Sequence, residues 1–160
     1  MATRSAIVRK MKNGKFKGIY CHNDGYLDWN GKLLYENYKD EEKVKRLIDL
    51  GFISSLKEEI DIPDGVTHSF DNRADGITVA YIRDRNGNKK HNKAITGTLS
   101  EVLDSIDQAD AYVFINGEWH TLIETVKDYE EFDIGNINQI LTIENLEFVK
   151  LSEFEVLFKE

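Results

Sequence analysis

The chain has one cysteine, Cys21, and one proline, Pro63, in 160 residues. A single thiol closes no internal disulfide, and that usage suits a reducing compartment, so a cytoplasmic protein is expected. No stretch approaches the roughly 20 apolar residues of a spanning helix, so no membrane association is expected. Met1 to Lys17 spreads its charges and has no apolar centre, unlike a signal peptide. The phosphate-cradling patterns G-x-x-x-x-G-K-S/T and G-x-G-x-x-G are missing, and so are CxxC and HxxxH pairs. Positive charge is scarce in one part only. Residues 94–160 hold 3 Lys+Arg against 15 Asp+Glu, whereas residues 1–93 hold 18 against 14. The first twenty residues carry Arg4, Arg9, Lys10, Lys12, Lys15 and Lys17 with no acid, but only Phe16 and Tyr20 as aromatics. Such a run is a poor stacking platform, so no direct nucleic-acid contact is expected. An acidic surface keeps a protein soluble, and polarity of this kind also steers it toward a charged partner.

What is present reads as one domain, 1–160, with a basic-leaning portion (1–93) and a strongly acidic portion (94–160). Asn13-Gly14 between Ser5–Lys12 and Lys15–Cys21 signals a hairpin with a type I′ turn. A second turn falls at Asp24-Gly25. Apolar residues at 29, 33, 34 and 38 approach helical spacing, weakened by Gly31. Asp40 starts a helix whose face is Val44, Leu47 and Ile48, ended by Gly51. Ser55 with Glu58 offers a capping box, and Ile62-Pro63-Asp64-Gly65 a turn. Ile77 to Arg83 reads as a strand, followed by a turn at Asn86-Gly87. Thr98-Leu99-Ser100-Glu101 is a second capping box, opening a short helix with Leu99, Val102, Leu103 and Ile106 inward. Ala111–Ile115 and Glu118–Glu124 flank Asn116-Gly117 as a second hairpin. The tail from Asp128 fits neither period, and strand or short helices are both open there. The sum is α+β: a mostly antiparallel sheet of two hairpins and a further strand, with about three helices.

The run Gly18-Ile19-Tyr20-Cys21-His22-Asn23-Asp24-Gly25-Tyr26 puts a thiol, an imidazole and a carboxylate within four residues. Zinc takes such donors in a tetrahedron. Cys21 and His22 face opposite sides on a regular strand, though at a strand end both can reach one ion. Further ligands must come from elsewhere. His68 is the best placed, with Asp71 as ligand or as partner to an imidazole, and His120 as the spare. The candidate metal set is therefore Cys21, His22, Asp24 and His68, with zinc as the metal. Against it, a lone cysteine is usually a small buried hydrophobe. No catalytic residue is assigned, since a base must meet the sulfur in hydrogen-bonding geometry. Arg83-Asp84-Arg85 reads as a surface salt-bridge cluster.

Thr3-Arg4-Ser5, Ile19 to Tyr26, Gly31, Leu34, Tyr38, Leu47 to Gly51, Ser54-Ser55-Leu56, His68 to Asp71 and Tyr81 to Arg85 together resemble a family of small phage, prophage and plasmid proteins. The resemblance covers residues 1–85 and, loosely, the 112–119 hairpin. The chain departs from the family's pattern at Asn23, where Trp is usual, and at Asn37, where His is usual; the second change removes one possible ligand. The resemblance implies an antagonist of host defence. Among such proteins are anti-CRISPR proteins that bind a type II-A effector nuclease and block loading of its DNA target. The implied partner is a CRISPR effector or another defence protein, and an implied zinc is structural. An alternative is a metal-dependent hydrolase or nuclease built on the same cluster. A third is a DNA mimic that needs no zinc.

Overall fold

The computed structural model describes residues 3–106, 110–126 and 139–158. The stretch 127–138, within the tail left open above, lies outside the described residues. Strand β1 (Ser5–Lys10) pairs antiparallel with β2 (Phe16–Cys21) and parallel with β6 (Asp110–Ile115). Its register sets Ser5 opposite Cys21 on one side and Asp110 on the other. Beyond β2 come β3 (Ile53–Ser55) and β4 (Val79–Ala80), and β5 (Ile95–Gly97) shares the β2 edge with β3. Beyond β6 come β7 (Glu118–Leu122), β9 (Leu146–Lys150) and β8 (Leu141–Ile143). The protein is α+β with a mixed nine-stranded sheet among the described residues, larger than two hairpins and one strand. The parallel pairs, β1–β6 and β2–β3, join segments distant in the chain, and pairing at that distance leaves no local signal in sequence.

Both faces of β1 are buried, which is why its apolar residues scarcely alternate. Ile7 joins Ile19, Tyr112, Phe114 and Trp119 on one face. Onto that face pack α1 (Lys32–Asn37) through Leu34, and α2 (Glu41–Asp49) through Val44, Leu47 and Ile48. Ala6 and Val8 join Phe16, Val113 and Phe148 on the other, under α5 (Leu99–Ile106) with Leu99, Val102 and Ile106. Gly18 lets α5 come this close: a Cβ there would lie 2.7 Å from Val102 Cγ1 and 2.9 Å from Val8 Cγ2. No helix among the described residues is long and apolar enough to cross a membrane.

Several local expectations change in form. The first hairpin exists, but only Gly14 of Asn13-Gly14 has positive φ (86°). Met11 N–H donates to Lys15 O at 2.7 Å, so a wider loop replaces the type I′ turn. Asn116 and Gly117, at φ 52° and 80°, are both left-handed, as that turn requires. The 29–38 helix begins one turn early, as a π-turn over Leu27–Gly31 that runs into α1. Ser55 ends strand β3 rather than capping a helix. The expected 77–83 strand stops at Ala80 and becomes α3 (Tyr81–Arg85), because Asp84 turns back to accept the Ala80 N–H at 2.7 Å. A further short helix, α4 (Lys89–Asn92), follows; α6 (Ile123–Val126) and α7 (Glu155–Phe158) also exceed the three helices expected.

The capping box at α5 forms as read. Thr98 N–H donates to Glu101 Oε1 at 3.0 Å, and Glu101 N–H to Thr98 Oγ1 at 3.1 Å. Glu144, in the left-handed β8–β9 turn (φ 50°), adds a second cap from far along the chain. Its carboxylate accepts from Leu99 N–H at 2.8 Å and Ser100 N–H at 3.0 Å. Desolvation raises its pKa, but the bonds from Ser100, Leu99 and Thr98 outweigh this and hold the carboxyl below its ordinary value. A depressed carboxyl binds fewer protons folded than unfolded, so its stabilisation is present above about pH 4.5 and fades as pH falls through the folded pKa. We expect Glu144→Gln to cost about 1 kcal/mol, as for a lost cap. That is about 2–4 °C in Tm for a chain of this size. The gap between variant and wild type should shrink in thermal melts taken at progressively lower pH.

Candidate functional site

The 18–26 run is a crossing point of the chain. At the end of β2, His22 N–H donates to Ile53 O (3.1 Å) and Asn23 N–H to Ser54 O (3.0 Å), extending the pairing with β3. The chain then turns at Asp24 (φ 59°) and passes over the start of β1, where Gly25 N–H donates to Thr3 O at 2.8 Å. Glycine keeps this pass open: a Cβ would crowd Thr3 O, Arg4 O and Ser5 Cβ, each at 3.0 Å. The buried Tyr112 hydroxyl of β6 donates to Gly25 O at 2.6 Å. Beneath the turn lies Asn30, buried in the π-turn, whose Nδ2 donates to Asn23 O (2.9 Å) and to Cys21 Sγ (3.4 Å). The sequence pattern of apolar residues at 29, 33, 34 and 38 does not single out Asn30, whose inward position follows from the π-turn over Leu27–Gly31.

Three of the four proposed ligands, Cys21, His22 and His68, are engaged in hydrogen bonds. The Cys21 thiol donates to Asn23 O at 3.4 Å, and burial pushes its pKa up to about 12. It is protonated at neutral pH, unlike a nucleophile. His22 Nδ1 is bonded to the Tyr20 hydroxyl at 2.7 Å. Asp24 contributes its backbone carbonyl, which accepts from Asn30 N–H at 3.1 Å. His68 belongs to a separate network: its Nδ1 accepts from Ala74 N–H (3.0 Å), which leaves the proton on Nε2 to donate to Thr78 O (3.1 Å). Cys21 and His68 share no bonded partner, and among the described residues no three His, Cys, Asp or Glu side chains gather as a metal-binding group. As placed, Cys21, His22 Nδ1 and His68 are held in hydrogen bonds rather than grouped around one point. The spare, His120, is buried on β7; burial lowers its pKa, and its Nδ1 bonds to Glu118 O at 3.1 Å.

The His68 network is the part least legible in sequence. Asp84, read as a surface ion pair, has a side chain only 1% exposed. Arg83 bridges both its oxygens, from Nε at 2.9 Å and Nη2 at 3.0 Å. The same guanidinium donates to Ile60 O (2.6 Å) and Thr78 O (2.8 Å), and His68 Nε2 lies 3.5 Å from Asp84 Oδ2. Both ends of the long 56–78 connection are thus latched to α3. On the outside of that connection, Arg85 lies over the rings of Phe70 (3.8 Å) and Tyr81 (4.8 Å), and Arg73 over Phe70 (4.7 Å). At the π-turn, Tyr26 and Trp29 are 47% and 51% exposed. Trp29 borders a groove of about 380 Å³ shared with Leu33, Lys57 and Glu58.

No family model, curated protein or solved structure matches the chain. The geometry is a set of polar crossings that brace the fold, with charge and aromatic rings outside; at the first crossing Asn30 Oδ1 and Ser5 Oγ are buried without a hydrogen-bond partner among the described residues.

Two outcomes follow. Asp84→Ala strands the half-buried Arg83 and should cost about 3 kcal/mol, read from the urea midpoint; Asp84→Asn, which can still accept from Ala80 N–H, should cost less. The Cys21 thiol should react with a thiol reagent only after unfolding, and a strong chelator should leave Tm unchanged. A chelator-induced drop in Tm would show that the donors regroup around an ion.

Proposed function

We propose that the chain is a phage-type binding protein that inhibits a host defence nuclease, a CRISPR effector of type II-A, by laying its acidic flank on the effector's basic nucleic-acid channel. One observation supports this reading most. The sheet order puts every described strand of residues 94–160 except β5 on the same side of β1, as β6-β7-β9-β8. The described acids of this part outside α5 therefore lie on or next to the β6-β7-β9-β8 side. Glu118, Glu124, Glu144, Glu147, Glu153 and Glu155 are exposed on these elements. Lys150, their basic neighbour, is tied to Glu118 at 2.8 Å. Such a surface complements a channel that holds a heteroduplex by its backbone. The exposed Trp29 and Tyr26 are the residue types that anchor protein interfaces. The hydrolase alternative gains nothing from a protonated, buried Cys21 and a doubly bonded His68.

The test is cleavage by a guide-loaded type II-A effector titrated with the protein. Inhibition should be stoichiometric, without turnover, and should weaken with rising salt. The double reversal Glu147→Lys and Glu153→Lys should raise the concentration for half inhibition at least about tenfold, as charge reversal at a steered interface does. Full cleavage at large excess of protein refutes the proposal.

A further inference from the structure

Residues 76–100 contain one acid, Asp84, among Arg83, Arg85, Lys89, Lys90 and Lys93. The fold withdraws that acid from the surface: Asp84 is buried and bonded by Arg83, so both members of the pair are spent. What remains outside is positive. Arg85, Lys89, Lys90, His91 and Lys93 are exposed, and none of the three lysines makes an ion pair among the described residues.

The segment is also held in shape. Asn86 ends α3 in the left-handed region (φ 53°), and Gly87 N–H donates to Tyr81 O at 2.7 Å. Asn88 caps α4 by accepting from Lys90 N–H at 2.8 Å, and Asn92 O takes the Phe52 N–H beside β3 at 2.7 Å. The Arg85 guanidinium carbon lies 3.8 Å from the Phe70 ring centre and 4.8 Å from that of Tyr81, and Arg73 also lies over Phe70. Asp71 and Asp75 are exposed and temper the charge near Arg73, so the patch centres on Arg85 and α4.

We propose that this α3–α4 face binds the phosphate backbone of a single-stranded nucleic acid, with Lys89, Lys90 and Lys93 neutralising phosphates and the Arg85–Tyr81–Phe70 stack receiving a base. Lysines supply the sequence-independent attraction, and planar guanidinium and aromatic groups are the surfaces on which unpaired bases stack. The expectation of no nucleic-acid contact came from the N-terminal run, and this face lies elsewhere. The inference does not rest on the nuclease reading, since it concerns the opposite flank of the sheet.

The experiment is fluorescence anisotropy of a labelled single-stranded DNA with the full chain, at about 50 mM and about 200 mM salt. Three neutralised phosphates on a single strand predict a loss of affinity of about 20-fold between those salts. Replacing Lys89, Lys90 and Lys93 together by Gln should weaken binding at low salt at least about tenfold and remove most of the salt response. Tyr81→Leu should weaken the single strand and leave any binding of duplex DNA unchanged. Glu147→Gln, on the far flank, should change neither. Thermal melts confirm folding, and Lys90→Gln alone gives a milder variant if the triple one is unstable. Absence of binding at low salt overturns the proposal. So does a triple variant that binds like the wild type, or equal competition by polyglutamate, which would assign the face to an acidic protein instead.

Discussion

The parallel pairing of β1 with β6 is the seam on which the rest of the molecule depends. Ser5 to Arg9 run alongside Asp110 to Phe114, and among the described residues no other strand pairing crosses between the β4-β3-β2-β1 half and the β6-β7-β9-β8 half. A parallel pair cannot be closed by a tight turn. Everything between the two strands, from β2 through α5, is its crossover connection. That connection covers both faces of the seam, α1 and α2 on one and α5 on the other. Burial on both sides makes β1 a core strand, and Tyr112 reaching Gly25 O stitches β6 to the turn at the end of β2.

Polar groups inside this core act as braces for irregular chain. The 56–78 connection is long for a loop, and ordering it carries a large entropic cost. Its backbone is gripped at several points. The Tyr38 hydroxyl donates to Lys57 O at 2.6 Å, Lys57 N–H to Thr78 Oγ1 at 2.9 Å, and Lys43 Nζ to Glu58 O at 2.8 Å. Tyr38 is itself fixed from the second half of the chain, since Trp119 Nε1 donates to Tyr38 O at 2.8 Å. Arg83, Asp84 and His68 complete the set. Partial exposure of Arg83 lowers the desolvation cost of the Asp84 charge, and each oxygen of that carboxylate has a donor.

Sequence revealed the parts governed by local chemistry. The α2 face, its end at Gly51, the Thr98–Glu101 box, the Asn116-Gly117 turn and both hairpins are each set by residues within a few positions. What escaped is set by distance in the chain: the β1–β6 seam, the Glu144 cap on α5, and the fate of Asp84. The hydrogen bonds of the candidate metal ligands escaped for the same reason. Donor types adjacent in sequence say which atoms are near, but not whether their lone pairs are free. Here Asn30, Asn23 and Tyr20 take up Cys21 and His22, and Ala74 and Thr78 take up His68. The chemistry seen in the motif is used to hold a crossing of the backbone.

A chain of net charge −8 would seem ill suited to attract phosphate. Geometry decides otherwise. β4 and β8 are the two ends of the strand order, although Glu144 of the β8–β9 turn reaches back to the start of α5. The screening length at physiological salt is about 8 Å, so α4 answers chiefly to the charges beside it. A ligand arriving at α4 meets the local field of Arg85 and three lysines, and a ligand arriving at β8 meets Glu144 and Glu147. Net charge governs solubility, whereas each edge answers to the side chains within one screening length. Removing Asp84 from the surface therefore matters more to the α4 edge than all the carboxylates across the sheet, and the contact that latches the long connection also sets the sign of the face beside it.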